Sequence, residues 1–483
     1  MSSLKLKKWQ RIFVNRSLNM ASIKSIGFDM DHTLAPYNRA SFEALAFSET
    51  LKKFIHNGYP EELSKLQFDP NFVIRGLLVD IKRGNLLKVD AHKYVKIAFH
   101  GRESLSKEMR HELYNSESFK ADTFLSIDTF FALSEVQLFT EIVDYMRLNP
   151  GKIKKSFHEV YADLRKYIDL SHADGSIKNQ VMKDPGSFIN KDKYRVQTLV
   201  RLLEGGKNLF LLTNSHWEYT NFIMSYLYND TLDAYASWRD YFEYIFVGTG
   251  KPNFFTGAHP FYEVQPDTGL LKPHSGVLSR HTPYHGGNAT LFQELTGQKG
   301  DEILYMGDHI YTDIIRSKGL FNWRTLLVVE ELDSELPKLE KIQPEIKKIQ
   351  DLLSSKEIYD ENAQRIRSRI ASNRNLLKIG ESQNDKKRVK SIQRNLDSLA
   401  KKLEYEESQI REIERVLKDS LKTKEKVIHP IWGELMHVGL EKSRFAKQVE
   451  EYACLYTARV SNLGFYSPFK KYTSPHDLMP HDL

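Results

Sequence analysis

The chain has one cysteine in 483 residues, so no internal disulfide can form, and a reducing cytosol is the expected compartment. Flanked by Tyr452, Ala453 and Leu455, Cys454 reads as a core thiol rather than a nucleophile. No apolar stretch approaches the roughly 18 residues of a membrane span, so no membrane partner is expected. Lys5, Lys7, Lys8 and Arg11 have no apolar run behind them, which argues against a secretory signal. Zinc-finger spacing, RNP-type aromatic strings and internal repeats are absent. The net charge of +7 is modest, and over the whole chain basic residues are mixed with acids. A small phosphate-bearing partner explains that excess more simply than nucleic acid, so no nucleic-acid partner is expected. What remains is ordinary for a globular chain, with 41% hydrophobic and 12% aromatic residues. At this length more than one structural unit is expected.

The most informative segment is Ile23–Leu34, IKSIGFDMDHTL. Ile23, Ile26, Gly27 and Phe28 read as a buried strand ending in a polar turn. Asp29 and Asp31 then lie past its carboxyl end, where open α/β sheets place ligand chemistry. Two carboxylates so close repel each other unless a cation lies between them. A hard cation such as Mg²⁺ suits, and it brings an anionic substrate with it. In D-x-D-x-T one aspartate can attack phosphorus while the other moves a proton to or from the leaving oxygen.

Three later segments repeat the order of strand first, polar group second. KNLFLLTNS (Lys207–Ser215) ends in Thr213 and Asn214, YIFVGTGKP (Tyr244–Pro252) is followed by Lys251, and EILYMGDHIYTD (Glu302–Asp313) carries Asp308 and Asp313. Carboxylates, a hydroxyl and an ammonium in this series suit phosphoryl transfer, which is mostly positioning and charge neutralisation. Taken singly, each has a plainer reading: a helix cap for Thr213, a solvated loop charge for Lys251, acids at a helix start for Asp308 and Asp313. Four in this order favour the chemical reading.

The set resembles the four motifs of the haloacid-dehalogenase superfamily of phosphohydrolases. RIFVNRSLNM (Arg11–Met20), GYPEEL (Gly58–Leu63), RGLLVDIKRGNLLKVD (Arg75–Asp90), GDHIYTDIIRSK (Gly307–Lys318), NWRTLLVVEEL (Asn322–Leu332) and HDLMPHDL (His476–Leu483) resemble, more narrowly, the cytosolic purine 5′-nucleotidases that prefer IMP and GMP. The likeness is weakest between about Pro337 and Lys424. It implies Asp29 as nucleophile, forming an aspartyl-phosphate, and Asp31 as proton donor and then base. It implies Mg²⁺ held by Asp29, the backbone carbonyl of Asp31, and Asp308. Thr213 and Lys251 hold phosphoryl oxygens, Asn214 orients the phosphate, and Asp313 supports Lys251 or the metal. Thr33 has at most an indirect role, with turn capping as its plainer one.

The resemblance and the pattern together imply an α/β fold with a doubly wound parallel sheet, an inserted cap and a C-terminal helical hairpin. The expected core is 1–40 and 190–336, with strands near Ile23–Phe28, Asn208–Leu212, Tyr244–Val247, Ile303–Tyr305 and Thr325–Val329. The expected cap is 41–189. Leu77–Val79 and Leu86–Val89 flank a β-turn, and this hairpin suits core or cap. Ile342, Ile346, Ile349 and Leu353, then Ile392, Leu396, Leu399, Leu403, Ile410, Ile413 and Leu417, recur at helical spacing, which predicts an antiparallel helical hairpin over 337–425. Its charged exterior reads as a solvated face, or else as a dimerisation or regulatory arm. A helical segment over 426–483 is expected to pack on the core.

Base recognition is expected from the cap. Arg165, Asp169 and His172 in LRKYIDLSHADGSIK share one helix face. A 6-oxopurine presents an N1–H donor beside an O6 acceptor; an aspartate can take the first and an arginine serve the second. The plain reading of Arg165 and Asp169 is a surface salt bridge. Lys178 is expected to reach the phosphate. Phe131 matches a base-stacking phenylalanine, with a core aromatic as its plain reading. The chain departs from the family pattern at Ala132 and Ala173, where an asparagine and a tyrosine stand, and at Tyr311 and Gly319, where a phenylalanine and a lysine stand. The first pair bears on base affinity, the second on activation by an ATP-like effector. The expected function is Mg²⁺-dependent hydrolysis of IMP or GMP by a cytoplasmic homo-oligomer, with phosphotransfer to another nucleoside as a companion activity. The alternatives are a phosphatase for another metabolite and a nucleotide-binding scaffold.

Overall fold

Gly27 sits where two strands come closest. A Cβ there would meet the Phe210 ring at 2.2 Å, so glycine lets that ring lie flat across the neighbouring strand. Around this contact the computed structural model, which describes residues 6–114, 124–383 and 385–475, builds one ten-stranded sheet. The HDLMPHDL string lies outside the described residues.

The strands are β1 (Phe13–Val14), β2 (Ser25–Phe28), β3 (Asn208–Leu212), β4 (Tyr244–Val247), β5 (Phe261–Val264), β6 (Leu271–Pro273), β7 (Pro283–Gly286), β8 (Ile303–Gly307), β9 (Arg324–Val328) and β10 (Leu455–Thr457). Their spatial order is β1-β10-β9-β8-β2-β3-β4-β7-β5-β6. The run from β10 to β7 is parallel throughout. The margins β1, β5 and β6 are antiparallel. Central strands are buried on both faces, which is why they read as unbroken apolar runs. The chain leaves β2 for β3 on one side and returns to β8 and β9 on the other. That reversal is a switch point, and it opens at the carboxyl end of β2, where Asp29 and Asp31 lie.

The segment between β2 and β3 supplies the helix Arg39–His56, a five-stranded antiparallel sheet, and the helices Ala132–Leu148 and Phe157–Ala173. Leu78–Asp80 and Asn85–Val89 belong to this second sheet and not to the main one. The residues up to Leu336, together with those from Leu435 on, form one compact unit, so the insertion does not separate from the main sheet.

Pro337–Glu434 form the second unit, longer at its end than the expected 337–425. Its helices Gln343–Ser382 and Lys386–Ile428 bury Ile349, Ala363, Leu396, Leu399 and Leu417. Pro344 falls in the first turn, where its missing N–H costs nothing.

The tail corrects an expectation. Among the described residues after Glu434 it is α-helical over Arg444–Tyr452 and 3-10 helical over Val460–Phe465, and between them Leu455–Thr457 enters the main sheet as β10. A three-residue strand between two partners needs no long apolar run, so periodicity gave no sign of it. Cys454 is fully buried. Among the described residues no helix is long and apolar enough to cross a membrane.

Candidate active site

Asp29 follows β2 directly, its N–H donating to the Met306 carbonyl of β8 at 2.8 Å. Its Oδ1 accepts from the Met30 N–H at 2.8 Å and lies 3.1 Å from Lys251 Nζ. Burial pushes its carboxyl up to about 7; Lys251 opposes the rise, while Asp313 and Asp31 add to it.

Lys251 is buried and donates to Asp313 Oδ1 and to the Tyr305 hydroxyl, both at 2.7 Å. Burial alone would lower its pKa, but Asp29 and Asp313 outweigh it, and the ammonium is held above its usual range. Asn214 clamps the loop that carries this lysine. Its Oδ1 accepts from the Lys251 N–H at 2.6 Å and its Nδ2 donates to the Lys251 carbonyl at 3.0 Å. Asn214 therefore positions the ammonium as well as facing the cleft. Thr213, wholly buried at the end of β3, accepts from the Ser215 N–H at 3.1 Å.

Asp308 follows β8 directly, and Asp313 lies in the single wide turn Ile310–Ile315 beyond it. A Cβ at Gly307 would meet Asp313 Oδ2 at 2.2 Å, so the Asp313 carboxylate occupies space that only glycine leaves free. Asp29, Asp308 and Asp313 bring one carboxylate oxygen each within 4.8 Å of one another, all buried. Burial drives the Asp308 carboxyl well above its usual range; Arg75 opposes this, and Asp29 and Asp313 reinforce it. Its Oδ2 is buried with no hydrogen-bond donor. An all-oxygen cluster with more carboxylates than cations and one orphaned oxygen fits a hard divalent cation.

Asp31 has a different environment. Tyr37 donates to its Oδ1 at 2.6 Å and Ser215 to its Oδ2 at 2.8 Å. The Tyr37 hydroxyl also touches that of Tyr219 at 2.9 Å. Asp31 thus faces hydroxyls where Asp29 faces an ammonium.

Asp31, Asn214 and Ser215 open into a cleft of about 520 Å³ whose other walls include Phe131, Ala132, Glu135, Arg165, Asp169, His172 and Lys178. The expected base-reading residues therefore share one cavity with Asp31 and Asn214. Arg165 and Asp169 are paired to each other at 2.7 Å, the geometry of the plain reading. Arg165 also donates at 2.5 Å to Glu135, a buried acid whose carboxyl burial holds above its usual range. Burial, with Lys178 nearby, lowers His172 to about 4, so its ring is neutral near pH 7. Phe131 precedes the helix Ala132–Leu148 and packs edge-on against Phe42 and His172. Lys178 Nζ lies 5.2 Å over the Tyr219 ring. Thr33 is not part of this cleft. It lines a separate cavity, and its hydroxyl has no hydrogen-bond partner among the described residues, so its side chain does not cap the turn there. Gly319 has open space where a side chain would stand.

Residue reading alone missed Arg75. Its guanidinium donates to the Asp308 carbonyl at 2.6 Å and is bidentate to Glu331 at 2.7 and 2.8 Å, with its charge 4.0 Å over the Phe130 ring. Tyr37, Tyr219, Tyr305 and Glu135 were missed too. Only Ser215, adjoining Thr213-Asn214, carried a signal.

Two aspartates past a strand at a sheet switch point, a threonine, a buried lysine and a carboxylate cluster make up a candidate phosphohydrolase site. The 5' nucleotidase family model matches residues 12–483, and the chain belongs to that family, a family of hydrolases. It is 25% identical over 489 residues to a 5'-nucleotidase domain-containing protein of Dictyostelium discoideum, covering 98% of this chain and 75% of that one. It is 30% identical over 340 residues to 5'-nucleotidase domain-containing protein 2 of Rattus norvegicus, covering 67% of this chain and 60% of the relative. Similar solved structures include a predicted phosphoglycolate phosphatase from Haemophilus somnus (14% identity, TM-score 0.29, 64% of this chain and 86% of that one). A haloacid dehalogenase-like hydrolase from Xanthomonas campestris follows (8% identity, TM-score 0.26, 63% and 82%).

Proposed function

We propose that the protein hydrolyses purine nucleoside 5′-monophosphates, IMP and GMP foremost, to nucleoside and phosphate through an aspartyl-phosphate. The observation that supports this is the difference in surroundings between Asp29 and Asp31. Asp29 lies against the Lys251 ammonium, and Asp31 sits at the cleft with two hydroxyl donors. In the first step an Asp29 carboxylate oxygen bonds to phosphorus, and the bond from phosphorus to the ester oxygen breaks. Asp31 gives its proton to that oxygen. In the second step Asp31 takes a proton from water, the water oxygen bonds to phosphorus, and the Asp29 carboxylate is released. Lys251 neutralises charge on the phosphoryl oxygens, Thr213 hydrogen-bonds one of them, and Asn214 keeps the lysine in register.

Asp29, Asp308 and the Asp31 carbonyl would hold Mg²⁺, with Asp313 supporting. Bound there, the ion offsets the negative charge shared by carboxylates and phosphate. Within the cleft, Arg165 and Asp169 read O6 and N1–H, Phe131 stacks on the base, His172 contacts base or ribose, and Lys178 meets the phosphate. A cytoplasmic location, a homo-oligomeric state and phosphotransfer to a second nucleoside belong to the same proposal. The mutual pairing of Arg165 and Asp169 favours one second reading, a phosphatase for a different phosphorylated metabolite.

The test is phosphate release over nucleoside monophosphates and sugar phosphates, with and without Mg²⁺. IMP and GMP should lead, and only with the metal. Faster release from a non-nucleotide ester would move the assignment to the second reading.

A further inference from the structure

The charge of this chain is concentrated in one place. Residues Arg365–Lys402, the distal part of the helical hairpin, hold twelve Lys and Arg against three Asp and Glu. The remainder of the chain holds 58 basic and 60 acidic residues, so the hairpin end carries more than the whole excess of +7. Taken over the full length, basic residues look mixed with acids; within this segment they are not.

The structure arranges them further. Lys386, Lys387, Lys390, Arg394 and Lys401 lie on the helix Lys386–Ile428. At 3.6 residues per turn they fall within an arc of about 100°. All five are exposed, while Leu396 and Leu399 on the opposite side are buried against the other helix. None of the five has a carboxylate partner among the described residues, unlike Arg365 and Arg367, which pair with Glu361 and Glu407. From Lys386 to Lys401 the row runs about 22 Å at 1.5 Å per residue. The result is a line of five cations on one helix face, with Asp397, which accepts from Gln393, as the one acid within the arc.

We propose that this face binds the phosphodiester backbone of double-stranded nucleic acid. A linear polyanion matches a linear array of cations, and releasing its condensed counterions drives such binding. Arg365–Lys402 contains no Phe, Tyr or Trp, so it offers no platform for stacking unpaired bases. A duplex, with its bases turned inward, asks for none. Within this arc from Lys386 to Lys401 there is no apolar side chain to insert into a lipid surface, although Leu376 and Ile379 of the other helix are exposed. A row made of four lysines and one arginine along a helix flank suits phosphates in succession, so the contact is to shape and charge rather than to sequence.

The experiment uses the full-length protein and fluorescein-labelled 20-base-pair duplexes of DNA and of RNA, read by anisotropy across a salt series. Both duplexes should bind, and about 150- to 500-fold more weakly at 200 mM than at 50 mM salt, as for some four to five phosphate contacts. The variant Lys390→Gln, Arg394→Gln, Lys401→Gln should lower the salt slope by about three and the low-salt affinity by tenfold or more. Its helicity and phosphate release should stay as in the parent. The control Lys418→Gln, Lys422→Gln, Lys426→Gln removes the same charge elsewhere on the same helix and should change affinity less than threefold. Equal loss in both variants would overturn the assignment to this face. So would no duplex binding at 50 mM salt, tighter binding to single strands, or equal binding to phosphatidylserine vesicles.

Discussion

Arg75 donates to the backbone carbonyl of Asp308 at 2.6 Å, while its guanidinium stays 3.9 Å from the same residue's carboxylate. The arginine thus fixes the Asp308 backbone and leaves the carboxylate free to meet a cation. Its own charge is absorbed by Glu331, whose carboxyl it holds below the usual range against the effect of burial. Arg75→Met should cost on the order of 3–5 kcal/mol, because Glu331 is left buried and unpaired. Arg75→Met with Glu331→Leu should recover most of that in urea unfolding, yet still need more Mg²⁺ for half-maximal activity. Full recovery of the metal requirement in the double variant would show that Arg75 serves stability alone.

Asp29→Asn should abolish phosphate release while keeping the fold, since an amide does not attack phosphorus. Thermal unfolding checks the fold and single-turnover assays the chemistry. Retained release above a few per cent would remove Asp29 from the nucleophile's place.

Tyr37→Phe takes one of two hydroxyl donors from Asp31 and leaves Ser215 in place. A hydrogen bond to a charged group contributes about 1.5–3 kcal/mol, so kcat should fall roughly tenfold or more with KM little changed. A rise in KM alone would mean that Tyr37 shapes the cleft and does not tune Asp31.

Glu43 gives a pH signature away from the reacting groups. It is buried on the helix Arg39–His56, accepts from the Ser134 N–H at 3.1 Å, and burial raises its carboxyl to about 7. The folded state therefore keeps a proton that the unfolded state loses near 4.5. This contribution to stability is present below pH 4.5 and is lost as pH rises through about 7, on the order of 3 kcal/mol in all. Glu43→Gln should flatten the stability profile across that window. An unchanged profile in urea titrations at pH 4.5, 6 and 7.5 would refute it.

Asp169 is exposed in the free protein, so Asp169→Ala should reduce kcat/KM for IMP and GMP by about 1 kcal/mol more than for AMP, the lower end of what a hydrogen-bonding group loses without its partner. Arg165 stays anchored through Glu135, so the arginine should not swing away. Equal losses on IMP and AMP would mean that Asp169 shapes the cleft without reading the base.

The four strand-then-polar segments were legible because strands buried on both faces must be continuously apolar, and each polar group follows its strand at once. The long hairpin was legible from helical spacing. What escaped the sequence is long-range. Arg75 meets Asp308 across 233 positions and Glu331 across 256, and nothing in a buried arginine's neighbours marks its partners. Glu135 was hidden on a helix whose surrounding positions are buried and largely apolar. The second sheet was seen only as one hairpin, since most of its strands are too short or too mixed to show alternation.

Strand β10 lies between β1 and β9, although the whole of Pro337–Glu434 intervenes before it in sequence. Synthesis therefore makes β9 long before its outer neighbour exists. While the hairpin is being translated, the outer backbone groups of Arg324–Val328 have no strand to pair with, an edge that can pair with another chain. The hairpin is in this sense an interval of exposure. A ribosome stalled within it leaves an open sheet, so lesions there burden the cell's quality control before they touch catalysis.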